Sequence, residues 1–120
     1  MSDCIFCRIA AGQIPSRKIH EDGQLFAFHD IHPAAPVHFL IIPRVHVASL
    51  EQCDDSHAEL LGRMLLLASQ LARQHGLGDG FRTIINTGKG GGQTVFHLHA
   101  HVLGGGGSLP FGHAGSHQSA

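Results

Sequence analysis

At 120 residues the chain suits one compact domain, able to bury roughly two-thirds of its unfolded surface without disulfide or metal staples being obligatory. Eight Lys and Arg stand against nine Asp and Glu with no basic run, which argues against nucleic-acid binding and against attachment to an anionic membrane. The opening MSDCIFCRIA has no charged segment leading into a long apolar one, and MLLLA is too short to cross a bilayer, so a cytoplasmic location is expected.

Taken in chain order, IFCRIAAGQIP predicts a short opening helix that ends near Gly12. LFAFHD and VHFLIIP predict strands, separated by the turn-prone IHPAAP with Pro33 and Pro36. The segment DDSHAELLGRMLLLASQLARQHG predicts one long helix: Ser56 and Glu59 have capping-box spacing, and Leu60, Met64, Leu67, Ala68 and Leu71 form a single stripe. Gly76 is a suitable stop. FRTIINT predicts a further strand, leading through GKGGGQT into FHLHAHVLG, read as a strand over 96–104. Beyond it, the Gly- and Ser-rich residues 106–120 predict a mobile tail after a domain spanning 1–105. Strands and helices do not alternate as βαβ units. An α+β domain is expected, an antiparallel sheet of about five strands with one long and one short helix packed on one side.

Twelve histidines are the unusual count, and three of them alternate in FHLHAHVLG. On a strand His97, His99 and His101 share one face, about 7 Å from one to the next, while Leu98, Ala100 and Val102 supply the buried face. Two imidazolium charges at that spacing repel by about 2 kcal/mol at an effective dielectric of about 20, so full protonation at neutral pH is disfavoured. A neutral imidazole beside protonated neighbours can act as a nucleophile toward phosphorus or a carbonyl. A zinc site is the second reading and a solvated histidine face the third. The neighbouring TGKGGGQT is neither a P-loop nor a dinucleotide fingerprint, because the spacing is wrong and it enters a strand where those motifs open a helix. Its glycines still allow backbone N–H groups to approach an anion, and Gln93 and Thr94 add donors. Three cysteines, Cys4 and Cys7 in a C-x-x-C, do not match the paired framework of a small secreted domain; zinc, redox and incidental burial all remain open for the pair.

The pattern from His97 to Leu103 resembles the signature of the histidine triad family of nucleotide hydrolases and transferases. FHDIHPAAPVHFLIIP, RTIINTG, GGQTVFHLHAHVLGG and CIFCRIAAGQIPS are similar, in order and spacing, to its Hint branch, the purine nucleoside phosphoramidases. The resemblance covers residues 4 to 105. It implies that His99 is the nucleophile that cleaves a nucleoside 5'-phosphoramidate through a nucleotidyl-histidine, with His101, His97 and His38 orienting the network and stabilising charge. It also implies that Asn86, Gly92, Gln93 and Thr94 contact the phosphoryl group or the leaving amine, and that Asp30 accepts from the ribose hydroxyls. Ile5, Phe6, Ile9, Phe28, Ile31 and Leu40 would form a purine slot. From residues alone, Asp30 reads equally as a turn cap and the apolar six as core.

Some relatives with the N-terminal cysteine pair complete a tetrahedral site, here Cys4, Cys7, His46 and His97; the resemblance implies a structural zinc there and no cofactor for the chemistry. The implied partners are purine nucleoside monophosphates and their phosphoramidates, with a second copy of the chain in a homodimer that uses the long helix. The tail SLPFGHAGSHQSA departs from the family, which bears on the leaving-group side. Three alternatives stay open: a purine nucleotide-binding module with little turnover, a dinucleoside polyphosphate hydrolase of the same family, and a zinc-dependent hydrolase.

Overall fold

Cys4 starts the first helix: its Sγ accepts from the Cys7 N–H (3.3 Å), satisfying one of the donors that every helix N-terminus leaves open. The computed structural model describes residues 3–106, and the tail expected at 106–120 lies, apart from Gly106, outside the described residues. Helix α1 (Ile5–Ala10) is followed by strands β1 (Lys18–Glu21), β2 (Leu25–His29) and β3 (Val37–Pro43), helix α2 (Ala58–Gln74), then β4 (Arg82–Ile84) and β5 (Ala100–Gly104). All pairings are antiparallel, in the order β1-β2-β3-β5-β4. The α+β expectation therefore holds, with β1 as a strand that hydropathy did not isolate: KIHE has no apolar alternation and is only half-buried at the sheet edge.

The alternation of strand side chains divides the apolar residues between two cores. Leu25, Ala27, Phe39, Ile41, Ala100 and Val102 pack with Met64, Leu67, Ala68, Leu71 and Ala72 of α2. Phe26, Phe28, Leu40 and Ile42 pack on the other face with Phe6, Ile9 and Ala10 of α1. The helices thus cover opposite faces, correcting the expectation of one side. The continuous apolar runs of β2 and β3 carry the reason, since strands covered on both faces lose their polar alternation.

Two local readings also change. The long helix is entered through a 3₁₀ turn (Asp55–His57) capped by Asp54, with His57 completing the capping box in place of the Ser56 and Glu59 pair. The Asp54 carboxylate accepts from both the Ser56 N–H (2.9 Å) and the Ser56 hydroxyl (2.6 Å), a stronger acceptor than the serine it engages. At the far end Gly76 adopts φ +83°, as a helix stop requires.

The histidine strand is shorter than 96–104, because β5 begins only at Ala100. Ahead of it the backbone leaves the ladder: Leu98 N–H donates to the Val47 carbonyl (2.7 Å), and the Pro43 carbonyl takes the His97 ring N–H instead of a strand amide (2.7 Å). Side-chain alternation survives this departure. Leu98 still enters the α2 core, while His97 and His99 lie edge-on to the Phe6 ring on the α1 face, at centroid distances of 6.0 and 5.2 Å.

Candidate active site

His99 sits where the approach segment meets β5, and its ring is fixed by its own neighbour. A carbonyl only accepts, so the 2.7 Å contact from His99 Nδ1 to the His97 oxygen places the ring proton on Nδ1. The lone pair is left on Nε2, which is buried and has no hydrogen-bond partner among the described residues. Burial, opposed by that hydrogen bond and by the Asp30 charge, holds the imidazole below its ordinary pKa. A buried, uncharged nitrogen with a fixed tautomer is what nucleophilic attack needs.

Tautomers propagate through the next pair in the same way. Ala34 N–H donates to His38 Nδ1 (2.9 Å), so His38 carries its proton on Nε2 and donates it to His101 Nδ1 (2.9 Å). His101 in turn keeps its proton on Nε2. Burial, with the neighbouring His99 and His38, pushes His101 down to about 4. Mutual repulsion among the histidines is thus the lesser cause, and desolvation the greater.

This shift makes stability depend on pH. In the unfolded chain His101 titrates near the ordinary imidazole value of 6.5, while the folded protein binds that proton only near 4. The unfolded state therefore holds more protons between those values, so this contribution is fully present above about pH 6.5 and is lost as pH falls toward 4. Urea midpoints measured from pH 7.5 to 4.5 should fall on acidification, less steeply in His101→Gln; identical slopes would refute the assignment.

Asp30 is 5% exposed. Its Oδ1 accepts from the His32 N–H (2.8 Å), the turn-capping role, and its Oδ2 lies 3.4 Å from His38 Nε2. The turn cap is thus present, and the second oxygen faces the histidine chain. Asn86 is half-buried and Thr94 exposed, on either side of a loop whose Gly88 and Gly92 have φ of +72° and +88°, values that favour glycine.

Two groups of implied ligands are placed differently from expectation. Gln93 is 4% exposed and its amide is occupied: Oε1 accepts from Gly88 N–H (2.8 Å), and Nε2 donates to the carbonyls of Ala48 (2.7 Å) and Val95 (3.0 Å). Its side chain therefore has no donor left for a phosphoryl oxygen. Of the six slot residues, Phe6, Ile9, Phe28 and Leu40 are buried in the α1 core, whereas Ile5 and Ile31 are exposed, Ile31 by 82%. A cavity of ≈ 300 Å³ at the end of α1 includes only Ile9 from the set, with Ile14, Phe26, Lys18 and Arg44 among its walls. Helix α1 buries Phe6, Ile9 and Ala10 in this core and leaves Ile5 exposed.

The fourth grouping is Cys4, Cys7, His46 and His97, whose ligand atoms all lie within 4.8 Å of one another. The approaches are Cys4 Sγ to His97 Nδ1 3.2 Å, Cys7 Sγ to His46 Nδ1 3.3 Å, Cys7 Sγ to His97 Nδ1 3.5 Å, and the two Nδ1 atoms 3.2 Å apart. A tetrahedral zinc with nitrogen and sulfur ligands has edges of about 3.3 to 3.6 Å. The fit extends outward: His97 Nε2–H donates to Pro43 O, which directs the Nδ1 lone pair to the cluster and is the usual bracing of a metal-bound histidine.

The fold thus brings His97, His99 and His101 into one line on an antiparallel α+β sheet, with the buried Nε2 of His99 unpartnered among the described residues. The HIT domain model matches residues 11–107, and the chain belongs to the HIT family. HitA of Neisseria gonorrhoeae is 55% identical over 104 residues, 87% of this chain and 97% of that protein. A HIT family hydrolase from Legionella pneumophila Philadelphia 1 has a TM-score of 0.84 at 46% identity, covering 86% of this chain and 93% of its own. A Zn-bound histidine triad family protein from Mycobacterium smegmatis reaches 0.78 at 36% identity, covering 91% and 81%. A histidine triad nucleotide-binding protein from Candida albicans reaches 0.75 at 32% identity, covering 90% and 85%. The chain thus shares the fold of HIT family hydrolases. Among the described residues no helix is long and apolar enough to cross a membrane.

Proposed function

We propose that this protein hydrolyses the P–N bond of purine nucleoside 5'-phosphoramidates through a covalent nucleotidyl-histidine. One observation carries the reading: the buried Nε2 of His99 has no partner among the described residues while its Nδ1 proton is held by the His97 carbonyl. Nε2 attacks the α-phosphorus and the P–N bond breaks, its electron pair leaving with the amine, which takes up a proton from solvent that the hydrolytic water of the second step gives back. Water then attacks the same phosphorus, releasing the nucleoside monophosphate and restoring the ring. As the phosphorylated ring becomes cationic, its Nδ1–H to the His97 carbonyl strengthens, so the contact favours the charged state over the ground state. His101, with its proton on Nε2, supplies a donor for a phosphoryl oxygen, and His38 fixes that tautomer.

Asn86 and Thr94 reach the phosphoryl or amine side, together with the backbone at Gly92. Asp30 receives the ribose hydroxyls through Oδ2, and Ile5 and Ile31 offer apolar surface to the base. The hydrolase and nucleotide-binding descriptions of the Legionella and Candida proteins agree with this reading. Incubation with adenosine 5'-phosphoramidate should release AMP in step with amine, and rapid acid-free quenching should trap nucleotide on the protein. Brisk turnover with no trapped adduct would overturn the covalent route, and binding of AMP without turnover would favour a binding module.

Cys4, Cys7, His46 and His97 would hold a structural zinc, and the similar M. smegmatis protein is itself Zn-bound. A zinc there would cross-link α1 to the histidine segment, and no catalytic step is assigned to it. The chain forms a homodimer through α2, which exposes Leu65 and Leu66 beside its buried stripe. Sedimentation at micromolar concentration should give twice the chain mass; a monomer would refute it.

A further inference from the structure

Gln93 holds the glycine loop and the histidine segment on the same short stretch of backbone. Its Nε2 donates to the Ala48 carbonyl (2.7 Å), one residue from the Val47 carbonyl that accepts from the amide of Leu98 (2.7 Å), between His97 and His99. Its other Nε2 hydrogen goes to Val95 O (3.0 Å), at the start of the approach to the histidines. Its Oε1 takes the Gly88 N–H (2.8 Å), while its own backbone N–H returns to the Gly88 carbonyl (3.0 Å), so the loop is closed at its base from both directions. The orientation of the amide is fixed by these partners, because an amide proton faces Oε1 and two carbonyls face Nε2. Gln93 itself is buried and its three partners are half-buried, a setting in which leaving the amide without them is costly.

We infer that Gln93 is a positioning residue for the reaction, setting the distance between the anion-facing backbone of residues 88–94 and the nucleophile, and that it does not contact the phosphoryl group. The inference rests on the proposed P–N hydrolysis for its kinetic consequence, while the loop it describes exists without substrate. Residues 47–48 act as a common anchor. Removing the amide leaves the histidines fixed through Leu98 but releases the loop, so phosphoryl contacts from its backbone lose their register with His99. A small misplacement of that kind costs rate more than affinity.

Two variants test this in the full-length protein. Gln93→Met keeps length and removes every side-chain polar contact while keeping the backbone bond to Gly88; Gln93→Glu keeps an acceptor for Gly88 but turns a carboxylate oxygen toward two carbonyls. Ligand-free amide hydrogen exchange and steady-state kinetics are measured together. The expected result is exchange at residues 86–95 faster by about tenfold or more, with the α2 and β3 amides unchanged. The kcat for adenosine 5'-phosphoramidate should fall about 10- to 100-fold with KM within about threefold. Unchanged loop exchange with a raised KM would overturn the inference in favour of a direct phosphoryl contact. Faster exchange throughout the sheet with unaltered kcat per folded molecule would overturn it in favour of a purely structural role. Should the wild type fail to cleave the phosphoramidate, the proposed function falls, whereas the exchange measurement still decides whether Gln93 pins the loop.

Discussion

Replacing His99 with glycine is expected to lower phosphoramidate turnover by about 10⁴-fold or more, because it removes the atom that forms the covalent bond and leaves only binding and charge stabilisation. The variant should fold. His99 lies on the α1 face, where the lost ring contacts Phe6, and the α2 core formed by its neighbours Leu98 and Ala100 is untouched. AMP should still bind, and no nucleotide should be trapped on the protein. Equal turnover in variant and wild type would refute the assigned nucleophile. By contrast His101→Ala, which removes a donor and leaves Nε2 of His99 in place, should cost less, about 10²-fold. The ordering of the two losses tests the roles as well as the site.

Protein purified without added zinc should carry about one equivalent, and the double change Cys4→Ser with Cys7→Ser should lose it and about 3 kcal/mol or more of stability. The effect on stability is large because the cluster joins the start of α1 to His97 and His46, segments 93 and 39 residues away in sequence from the cysteines that approach them. The effect on rate should be smaller, about 10- to 100-fold, transmitted through His97. His97 presents Nδ1 to the cluster, Nε2–H to Pro43 and its carbonyl to His99 Nδ1, so loosening it blurs the nucleophile's orientation without removing it. Metal analysis by mass spectrometry, urea unfolding and turnover together decide the matter. Zinc far below one equivalent removes the site, and a chelated protein that stays folded yet wholly inactive would move zinc into the chemistry.

Much of this arrangement was legible from residue types and spacing. The two strands LFAFH and VHFLIIP, the long helix and the shared face of His97, His99 and His101 follow from hydrophobic period and side-chain alternation, which are local properties. Resemblance to the histidine triad family added the cysteine and histidine ligand set, and Cys4, Cys7, His46 and His97 do converge. The opposite placement of α1 and α2 was not legible, because a strand apolar on both faces carries no mark of which helix covers which. Nor was the early departure of residues 96–99 from the ladder, which depends on carbonyls of Pro43 and Val47.

By itself, then, the sequence determined which side chains could do chemistry: an alternating line of imidazoles, a glycine loop beside it, and a thiol pair at a helix start. Only the tertiary structure decided their states. The proton on Nδ1 of His99, the tautomers of His97, His38 and His101, and the engagement of the Gln93 amide are set by Ala34, Pro43, Ala48, Val95 and His97. Except for His101, whose tautomer follows from the His38 ring, the partner is in each case a backbone N–H or carbonyl, a group every such residue carries, so its identity in the sequence holds no sign of the contact and folding alone brings it into place.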